Sequence, residues 1–448
     1  MIKKDRRSFI KNLGIAGATA AILPSTFAAE TQNVSILKRK MAKANNKTLK
    51  IALIGAGGMG VADTNTALEH DNIELVAVCD LYDGRLEDAK QRWGSSLFLT
   101  KDYKDVLKRS DIDAVIIGTP DFWHKKISVD ALNADKHVYC EKPLIHNIDE
   151  GQDIIKAWKK SGKIFMVGSQ GMSSLGNEKA KELLAAGAIG TLNYAEGFWA
   201  RNSALGAWQY PIPNDASTQT VDWEKYISIS EDKPFDPLKF FRWRNYLDYG
   251  TGMAGDLFVH LFSSLHFITN SYGPNKIAAS GGLRHWNDGR EVPDVLLGMF
   301  DYPDSQQHPA FNLSLRCNFV DGTSGSTYLK LVGSKGSMDV EWDRVTLKRN
   351  AGGNSDDPFL AEKAKNESSR PNRKKMLPPL TTVYDAQDGY KGAHYDHFAN
   401  FFTAIRENGS VAEDPVFGFR AAAPALLCNE SYKKNEFINW DPEKMKLG

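Results

Sequence analysis

The stretch KIALIGAGGMG, residues 50–60, has the pattern of a short apolar strand, a glycine-rich turn and the start of a helix. The turn carries the GxGxxG spacing. Gly55 allows the tight turn, Gly57 lets the backbone approach a pyrophosphate, and Gly60 lets the helix pack closely on the strand. The pyrophosphate would bind at the helix N-terminus, where unpaired N–H groups and the helix dipole favour an anion. The stretch therefore predicts a dinucleotide-binding βαβ unit.

A second apolar strand, residues 73–80, ends in Asp80, about twenty residues after the glycine turn. An acid at this place accepts hydrogen bonds from the ribose hydroxyls of the adenosine half. Its charge repels a 2′-phosphate, so NAD is favoured over NADP. Arg85 is close in sequence and could partly offset that charge, so NADP stays open. The alternative for Asp80 is an exposed acid at a strand end, but the order of the elements favours the cofactor.

The composition is that of an ordinary globular protein. The chain has 448 residues, 42% hydrophobic and 25% charged, which is long enough for two domains. Its net charge of +1 argues against nucleic acid or an anionic membrane as a partner. No apolar run reaches the roughly 18 residues that a membrane span needs. The four cysteines show no paired or metal-like spacing and are expected to be small core residues.

The first residues have the pattern of an export signal. Arg6 and Arg7 lie in a basic segment, and a mildly apolar run, residues 13–23, follows. The pattern resembles a twin-arginine signal, so residues 1–28 are predicted to direct export to the periplasm or another exported location. The alternative is a basic, frayed N-terminus. Residues 29–47 are polar and are predicted to be a linker.

Between residues 48 and 170, predicted strands alternate with helices, which indicates a doubly wound parallel sheet of the Rossmann type. One later strand ends at Thr119 in a Thr-Pro pair, and another ends in a Glu-Lys-Pro tripeptide around Lys142. Ligands bind at the carboxyl edge of such sheets, so these residues and the nearby His124 are candidate cofactor contacts.

From residue 171 the alternation gives way to tryptophans, loops and half-buried strands. This change predicts a second domain, residues 171–448. The predicted fold class is therefore α/β, with a Rossmann domain followed by an α/β domain whose open sheet is mixed and largely antiparallel.

These motifs together resemble the Gfo/Idh/MocA family of glucose–fructose oxidoreductases and inositol dehydrogenases. The resemblance covers nearly the whole chain after residue 48, and the Glu-Lys-Pro element in this order is its most specific part. It implies a C-terminal sheet that carries substrate residues and often forms the oligomer interface. A homo-oligomer, either a dimer or a tetramer, is therefore expected.

Asp256 and His260 lie four residues apart after a glycine-rich segment, so they share one face of a helix. Taken alone, this pattern favours a helix-terminal aspartate with a core histidine. The resemblance instead implies that His260 is the base and that Asp256 orients its imidazole or binds a substrate hydroxyl. It also implies that Lys142 hydrogen-bonds the reacting oxygen or shares the base role. The alternative for Lys142 is a plain salt bridge with Glu141.

An Asp/His pair could also bind a metal. However, His266 is six residues from His260 and therefore lies on a different helix face. No metal is expected.

The predicted cofactor contacts come from the glycine loop, the strand ends and the segment before Asp256. They are Gly55, Gly57, Gly58, Met59, Gly60, Asp80, Arg85, Thr119, Pro120, His124, Glu141, Lys142, Gln170 and Arg244. Further candidates for the cavity wall are His285, Asp294, His394 and His397. An aromatic group could stack on sugar rings or form ordinary core, and the sequence does not decide between these: Phe198, Trp199, Trp208, Tyr210, Phe240, Phe241 and Trp243.

The sequence predicts an exported NAD(H)-binding protein, and the family resemblance implies an oxidoreductase that transfers hydride between a sugar or glycoside hydroxyl carbon and the bound nicotinamide. A twin-arginine signal exports folded chains, so the cofactor is expected to be loaded inside the cell, tightly bound and recycled. The segments 210–216, 221–223 and 241–246 are absent from the minimal family pattern and indicate an elaborated subgroup. Inositol or glucose is therefore not assumed as the substrate.

Two alternatives remain. One is a glycosidase-like enzyme that oxidises a sugar transiently, eliminates the aglycone and reduces the product again. The glycosidase branch of the family departs from Glu-Lys-Pro, which this chain retains. The other is a catalytically silent sugar-binding protein, against which the intact Lys142, Asp256 and His260 argue.

Overall fold

The computed structural model describes residues 31–36, 47–231, 233–323, 327–350 and 379–448. The predicted signal, residues 1–28, lies outside these ranges. Within them the chain forms a 6-stranded sheet and an 11-stranded sheet. No helix in the described ranges is long and apolar enough to cross a bilayer. The predicted α/β class is confirmed.

The first sheet is parallel throughout, with the order β4-β3-β2-β5-β6-β7. Its strands are β2 Leu49–Ile54, β3 Ile73–Cys79, β4 Phe98–Thr100, β5 Ala114–Ile117, β6 His137–Glu141 and β7 Phe165–Gly168. The helices of this half are α1 Gly58–Leu68, α2 Asp83–Trp93, α3 Tyr103–Leu107, α4 His124–Asn133 and α5 Glu150–Ser161. The strand order reverses beside β2, which creates the crevice in which dinucleotides bind.

Two glycines fix the contact between β2 and α1. Gly55 has a φ of +94°, a conformation that residues with side chains rarely adopt. A Cβ atom at Gly60 would lie 2.1 Å from the carbonyl oxygen of Gly55. The turn and the close helix approach therefore both require glycine, as the sequence indicates.

The second sheet has the order β1-β15-β14-β13-β12-β8-β11-β10-β9-β16-β17. Its pairs are antiparallel except for β1 with β15 and β8 with β11, so the predicted mixed, largely antiparallel sheet is confirmed. Its strands are β1 Thr31–Ile36, β8 Leu192–Ala200, β9 Lys276–Gly282, β10 Val295–Tyr302, β11 Phe311–Asn318, β12 Thr327–Gly333, β13 Gly336–Val340, β14 Arg344–Arg349, β15 Leu380–Ala386, β16 Ile438–Asp441 and β17 Lys446–Leu447. Helices α6 Leu175–Ala185, α9 Val259–Thr269 and α11 Pro415–Lys434 pack on it.

Helix α10, Ala393–Glu407, packs on the first sheet. Phe398, Phe401 and Phe402 are fully buried in the same core cluster as strand β2, and the rings of Phe398 and Tyr139 stack 4.4 Å apart. Helix α10, which lies within the predicted second domain of residues 171–448, therefore packs across the domain boundary onto the first sheet. Its amphipathic pattern shows that it covers a sheet but does not specify which sheet.

Part of the predicted linker, residues 29–47, is a strand. Thr31–Ile36 pairs in parallel with β15 at the edge of the second sheet. Five of its six residues are exposed, so the pairing rests on backbone hydrogen bonds to an edge that would otherwise be open. The linker prediction is wrong for these residues, and residues 37–46 lie outside the described ranges.

Residues 202–250, as far as they are described, cross from the second sheet over the first domain, and we call them the strap. The strap contains the short helices α7 Trp223–Ile227 and α8 Pro237–Phe241. The backbone N–H of Asp222 donates to the carbonyl of Leu81 at 2.9 Å. The Tyr82 hydroxyl donates to Asp215 at 2.6 Å. The strap is therefore fastened to the segment that follows β3.

Glu413 is fully buried between the first sheet and helix α9. One carboxyl oxygen accepts a hydrogen bond from Ser263 at 3.3 Å, and the other has no partner among the described residues. Burial raises the pKa of Glu413 to about 8. The folded protein therefore keeps this proton at pH values where the unfolded chain has lost it, so stability falls as pH rises towards 8.

Replacing Glu413 with glutamine should stabilise the protein increasingly as pH rises. Glutamine has a similar volume and needs no proton to stay neutral. We expect the difference in free energy of unfolding between variant and wild type to grow by about 2–3 kcal/mol from pH 5.5 to pH 7.5. Urea unfolding at both pH values measures it. A difference that does not change with pH would contradict the raised pKa.

Candidate active site

A cavity of about 850 Å³ joins the glycine loop to the second domain. The first domain contributes Gly55, Gly57, Gly58, Met59, Asp80, Arg85, Thr119, Pro120, Lys142 and Gln170 to its wall. The strap contributes Trp208, Tyr210, Phe240, Phe241, Trp243 and Arg244, and the second domain contributes Trp199, Arg201, Asp256 and His260. Most predicted site residues thus meet at one cavity.

The glycine loop presents an open anion-binding site. Helix α1 begins at Gly58, and its N-cap residue Gly57 makes no side-chain capping hydrogen bond. A Cβ atom added at Gly58 would meet nothing within 4 Å, and one at Gly57 would meet only the Arg85 guanidinium, at 3.9 Å. Uncapped N–H groups facing open space are the arrangement that binds phosphate, so the loop fits the pyrophosphate of a dinucleotide.

Asp80 is held rigidly beside this loop. One carboxylate oxygen accepts the N–H of Ala56 at 2.8 Å, and the other accepts the N–H of Tyr82 at 3.0 Å. The Arg85 guanidinium lies 3.5 Å from the carboxylate. The acid is therefore fixed where the ribose hydroxyls of a dinucleotide would bind. The NADP alternative requires a cation near the 2′-phosphate, and Arg85 lies beside Asp80 as this requires.

His124 supports the site from behind the cavity wall. Its ring nitrogens lie 2.7 Å from the carbonyl oxygen of Pro143 and 3.0 Å from that of Thr119. Burial lowers the pKa of His124, but the Cys140 sulfur, Asp121 and the Pro143 carbonyl outweigh burial and raise it to about 10. A protonated ring donates to both carbonyls. The predicted cofactor contact of His124 is therefore wrong, because both nitrogens hold the backbone at the strand ends.

Glu141 is also buried behind the wall. It accepts a hydrogen bond from Gln170 at 2.7 Å and thereby positions the amide that does line the cavity. Burial, and then repulsion by the buried Asp63, raise the pKa of Glu141 to about 8. Asp63 in turn bonds His394 at 2.8 Å. The predicted cofactor contact of Glu141 is wrong, and Lys142 does not pair with it.

Lys142, Asp256 and Arg244 form one charged group at the cavity. Lys142 Nζ donates to both the backbone oxygen and Oδ1 of Asp256 at 2.8 Å. Arg244 Nε donates to the same Oδ1 at 3.1 Å. Burial acts to raise the pKa of Asp256, but Lys142 and Arg244 outweigh it and hold that pKa well below its usual range. The carboxylate, in the π-helical turn Ala254–Phe258, therefore fixes the direction of both cations.

His260 follows this turn at the start of α9 and lines the cavity. Its ring stacks on Trp199 with centroids 5.3 Å apart. Its Nδ1 is buried and has no hydrogen-bond partner among the described residues. Burial, and then the positive charge of Lys142, lower the pKa of His260 well below its usual value. The expected orienting bond from Asp256 is not formed, because that carboxylate bonds Lys142 and Arg244.

The further polar candidates do not line the described wall of the cavity. His397 bonds the carbonyl of Val167 at 2.8 Å, and His394 bonds Asp63. The Asp294 carboxylate accepts three backbone N–H groups, including that of His285, and so shapes a loop. These expectations are wrong because His394, His397 and Asp294 are bonded within the fold. The side chain of His285 is exposed and does not line the described cavity wall.

The described residues contain no group of three His, Cys, Asp or Glu side chains arranged to hold a metal ion. His266 is buried, and its Nε2 lies 2.8 Å from the Tyr302 hydroxyl. It is therefore engaged away from the face of α9 that carries His260.

The predicted aromatic group divides into two. Six of its seven members line the cavity, namely Trp199, Trp208, Tyr210, Phe240, Phe241 and Trp243. Phe198 points to the other side of β8, where the Arg316 guanidinium lies 3.9 Å from its ring centroid. Sequence reasoning missed Arg201, which also lines the cavity. Its position two residues after Trp199 could have indicated this, because alternate residues of a strand face the same side.

Two models of one known protein family match consecutive parts of the chain. Residues 49–169 match the oxidoreductase family model for an NAD-binding Rossmann fold, and residues 181–439 match its model for a C-terminal alpha/beta domain. The chain belongs to the Gfo/Idh/MocA family. The predicted resemblance is confirmed, and the first domain is an NAD-binding domain.

Relatives within the Gfo/Idh/MocA family have several activities. An inositol 2-dehydrogenase of Salmonella paratyphi B is 34% identical over 146 residues, 32% of this chain and 43% of that protein. A 2,7-anhydro-N-acetylneuraminate hydratase of Mediterraneibacter gnavus is 27% identical over 304 residues, 66% of this chain and 71% of that protein. A glycosyl hydrolase family 109 protein of Shewanella pealeana is 28% identical over 185 residues, 37% of this chain and 39% of that protein. The chain thus spans less than half of the inositol dehydrogenase.

Solved Gfo/Idh/MocA structures share the fold. Levoglucosan dehydrogenase in complex with NADH and levoglucosan matches with a TM-score of 0.63 and 19% identity, over 88% of this chain and 99% of that chain. An oxidoreductase domain protein from Kribbella flavida matches with a TM-score of 0.63 and 20% identity, over 87% of this chain and 98% of that chain. At these identities the likeness concerns the fold alone.

Proposed function

We propose that this protein is an exported oxidoreductase that transfers hydride between a hydroxyl carbon of a sugar or glycoside and a tightly held nicotinamide. The observation that carries the proposal is that one cavity contains both the open glycine loop and the Lys142, Asp256 and His260 side chains. The relatives named for inositol and for an anhydro sugar support the sugar class. Export is supported by the twin-arginine pattern of residues 1–28.

The residues at the cavity can carry out the proton chemistry. When bound, the nicotinamide supplies the acceptor for the hydride that leaves the sugar carbon. His260 lines the cavity, and its lowered pKa keeps the imidazole neutral, with a nitrogen lone pair that can accept the hydroxyl proton, although burial and Lys142 also make it a weaker base. Lys142, held by Asp256, donates a hydrogen bond to the reacting oxygen and stabilises its developing negative charge. Asp256 contributes by positioning Lys142.

The position of the strap is the evidence for a tightly bound cofactor. Phe240 and Phe241 of the strap lie with their ring centroids 5.5 Å from the Arg85 guanidinium, beside Asp80. The Tyr82–Asp215 bond fastens the strap over the adenosine end of the cavity. The strap therefore forms part of the cavity wall at the end where Asp80 and Arg85 lie. A tightly bound cofactor is recycled in place, which suits an exported protein.

Replacing Tyr82 with phenylalanine should release the cofactor about tenfold faster. The change removes a hydrogen bond to a carboxylate, a bond worth roughly 1.5–3 kcal/mol, from the fastening of the strap. The rate is measured as loss of bound NAD from the purified protein on dilution, by nicotinamide fluorescence after reduction. Tyr194→Phe is the matched control, since it removes a hydroxyl that bonds Ser314 at 2.6 Å on the second sheet. Equal release rates in the two variants would contradict the fastening role.

A homo-oligomer is proposed as well, through the outer face of the second sheet. Leu297 and Met299 on β10 are 45% and 62% exposed on that face. Exposed apolar side chains on a broad sheet are typical of a surface that pairs with another copy.

The oxidoreductase proposal is tested by purifying the protein and assaying it for bound NAD by mass spectrometry. Sugars and glycosides are then screened for reduction of that cofactor. Reduction by at least one of them is expected. Failure to bind any nicotinamide would reject the proposal and leave the sugar-binding alternative.

A glycosidase-like reaction is the second candidate, favoured by the relative in glycosyl hydrolase family 109. The Glu-Lys-Pro element around Lys142 argues against it. Release of an aglycone without net reduction of the cofactor would favour it over the dehydrogenase.

A further inference from the structure

Arg201 lies at the substrate end of the cavity. It follows directly after β8 and lines the cavity together with Trp199. Two residues along a strand advance about 6–7 Å, so Arg201 is farther along the wall than the Trp199 ring that stacks on His260. That spacing is comparable with the width of one sugar ring.

One edge of the Arg201 guanidinium has no hydrogen-bond partner among the described residues. Its Nη1 donates to the carbonyl oxygen of Gly206 at 2.9 Å, and the group lies 5.6 Å from the ring centroid of Phe319. These contacts leave the edge formed by Nε and Nη2, which is the edge that binds a carboxylate through two parallel hydrogen bonds. The nearest acid along the loop, Asp321, instead bonds Thr323 at 2.5 Å.

The substrate end of the cavity carries more positive than negative charge. Lys142, Arg201 and Arg244 line it, and Asp256 is the carboxylate that lines it with them. Asp256 pairs with Lys142 and Arg244, whereas no described carboxylate forms an ion pair with Arg201. The charge of Arg201 also acts on His260, whose pKa it helps to lower. An anionic group on the substrate would compensate this cation.

We propose that Arg201 binds the carboxylate of an acidic sugar, so that the substrates are uronic acids or their glycosides. The proposal rests on the proposed oxidoreductase function and names its substrate class. The carboxylate contacts the Nε–Nη2 edge, and the sugar ring lies along Trp199. The hydroxyl carbon on the opposite side of the ring faces Lys142 and His260, where its proton and hydride leave.

The test compares matched sugars on the holoprotein. The methyl glycosides of glucose and glucuronic acid, and of galactose and galacturonic acid, are compared by kcat/KM for reduction of the bound nicotinamide. The wild type should prefer the uronides by at least about tenfold. Arg201→Gln should lower kcat/KM for the uronides by about 10²-fold and that for the neutral glycosides by a much smaller factor, so that the preference for uronides is lost. Arg201→Lys keeps the positive charge but cannot form two parallel hydrogen bonds, so its kcat/KM for the uronides should lie between those of wild type and Arg201→Gln.

Calorimetric binding of the methyl uronides to wild type and to Arg201→Gln provides a readout that does not depend on turnover. Uronide binding that is lost in Arg201→Gln supports the proposal even if no sugar is oxidised, in which case only the oxidoreductase function fails. Turnover of neutral glycosides without a uronide preference overturns the Arg201 proposal while the oxidoreductase function stands. Absence of uronide binding, or an equal loss for both sugar classes in a variant whose circular dichroism matches wild type, also overturns it.

Discussion

Replacing Lys142 with methionine should slow reduction of the bound nicotinamide by about 10²- to 10³-fold. Lys142 Nζ lies 2.8 Å from Asp256 at the cavity, and in the proposed reaction it donates a hydrogen bond to the reacting oxygen. Methionine keeps the length of the side chain but cannot stabilise negative charge. Single-turnover absorbance measurements on the holoprotein give the rate, which is expressed per bound NAD.

Lys126→Met is the matched control for this prediction. Lys126 also lines the cavity, where it forms an i,i+4 ion pair with Asp130 at 2.5 Å on helix α4. It lies away from Asp256, so its loss should change the rate less than about threefold, as for an exposed pair. If both variants were equally active, the role assigned to Lys142 would have to be given up.

Replacing Asp256 with asparagine should lower the free energy of unfolding by about 3–5 kcal/mol. The side chains of Lys142 and Asp256 are 9% and 8% exposed, and Arg244 is 22% exposed. Asparagine would leave two cations in a largely buried place without their shared counter-charge. Urea unfolding of cofactor-free protein at pH 7 measures the effect, because bound NAD would add its own stabilisation.

The effect of the Asp256 variant should depend on pH in one direction. The folded-state pKa of Asp256 lies below its usual value, so the stabilisation is fully present above the ordinary carboxyl pKa of about 4. It is lost as pH falls through the lowered pKa. The difference between wild type and variant should therefore be constant near neutral pH and shrink on acidification.

Asp385→Asn is the control for charge loss at the surface. Asp385 pairs with Arg344 at 2.5 Å, but these side chains are 42% and 51% exposed. Its loss should cost less than about 1 kcal/mol. Equal stability of the two variants would show that Asp256 is not needed to neutralise the cavity cations.

The Rossmann half could be predicted because its signals are local. Gly55 and Gly60 are required by backbone geometry within one turn, and Asp80 ends the next strand. The placement of α10 could not be predicted in this way. Its phenylalanines show only that one helix face is apolar, and the sheet they cover is formed by residues about 230 to 350 positions earlier in the chain.

The sequence predicted which residues form the site but not which of them bond to each other. Lys142, Asp256 and His260 were expected to act together, and the structure places all three at one cavity. The partner of Asp256 could not be predicted from the sequence, because Lys142 lies 114 residues away in the chain. His260 lies only four residues away and was therefore the expected partner. His124 was misassigned for a related reason. Its position beside a strand end indicated a ligand contact, but the carbonyls of Thr119 and Pro143 use both of its nitrogens.

The placement of α10 sets an order of events during synthesis on the ribosome. N-terminal domains usually fold while the rest of the chain is still being made. Here the sheet that carries the glycine loop lacks Phe398, Phe401 and Phe402 until nearly nine-tenths of the 448 residues have been translated. A chain that stops early therefore leaves that sheet face uncovered. Stable nucleotide binding is therefore expected only after α10 has been translated.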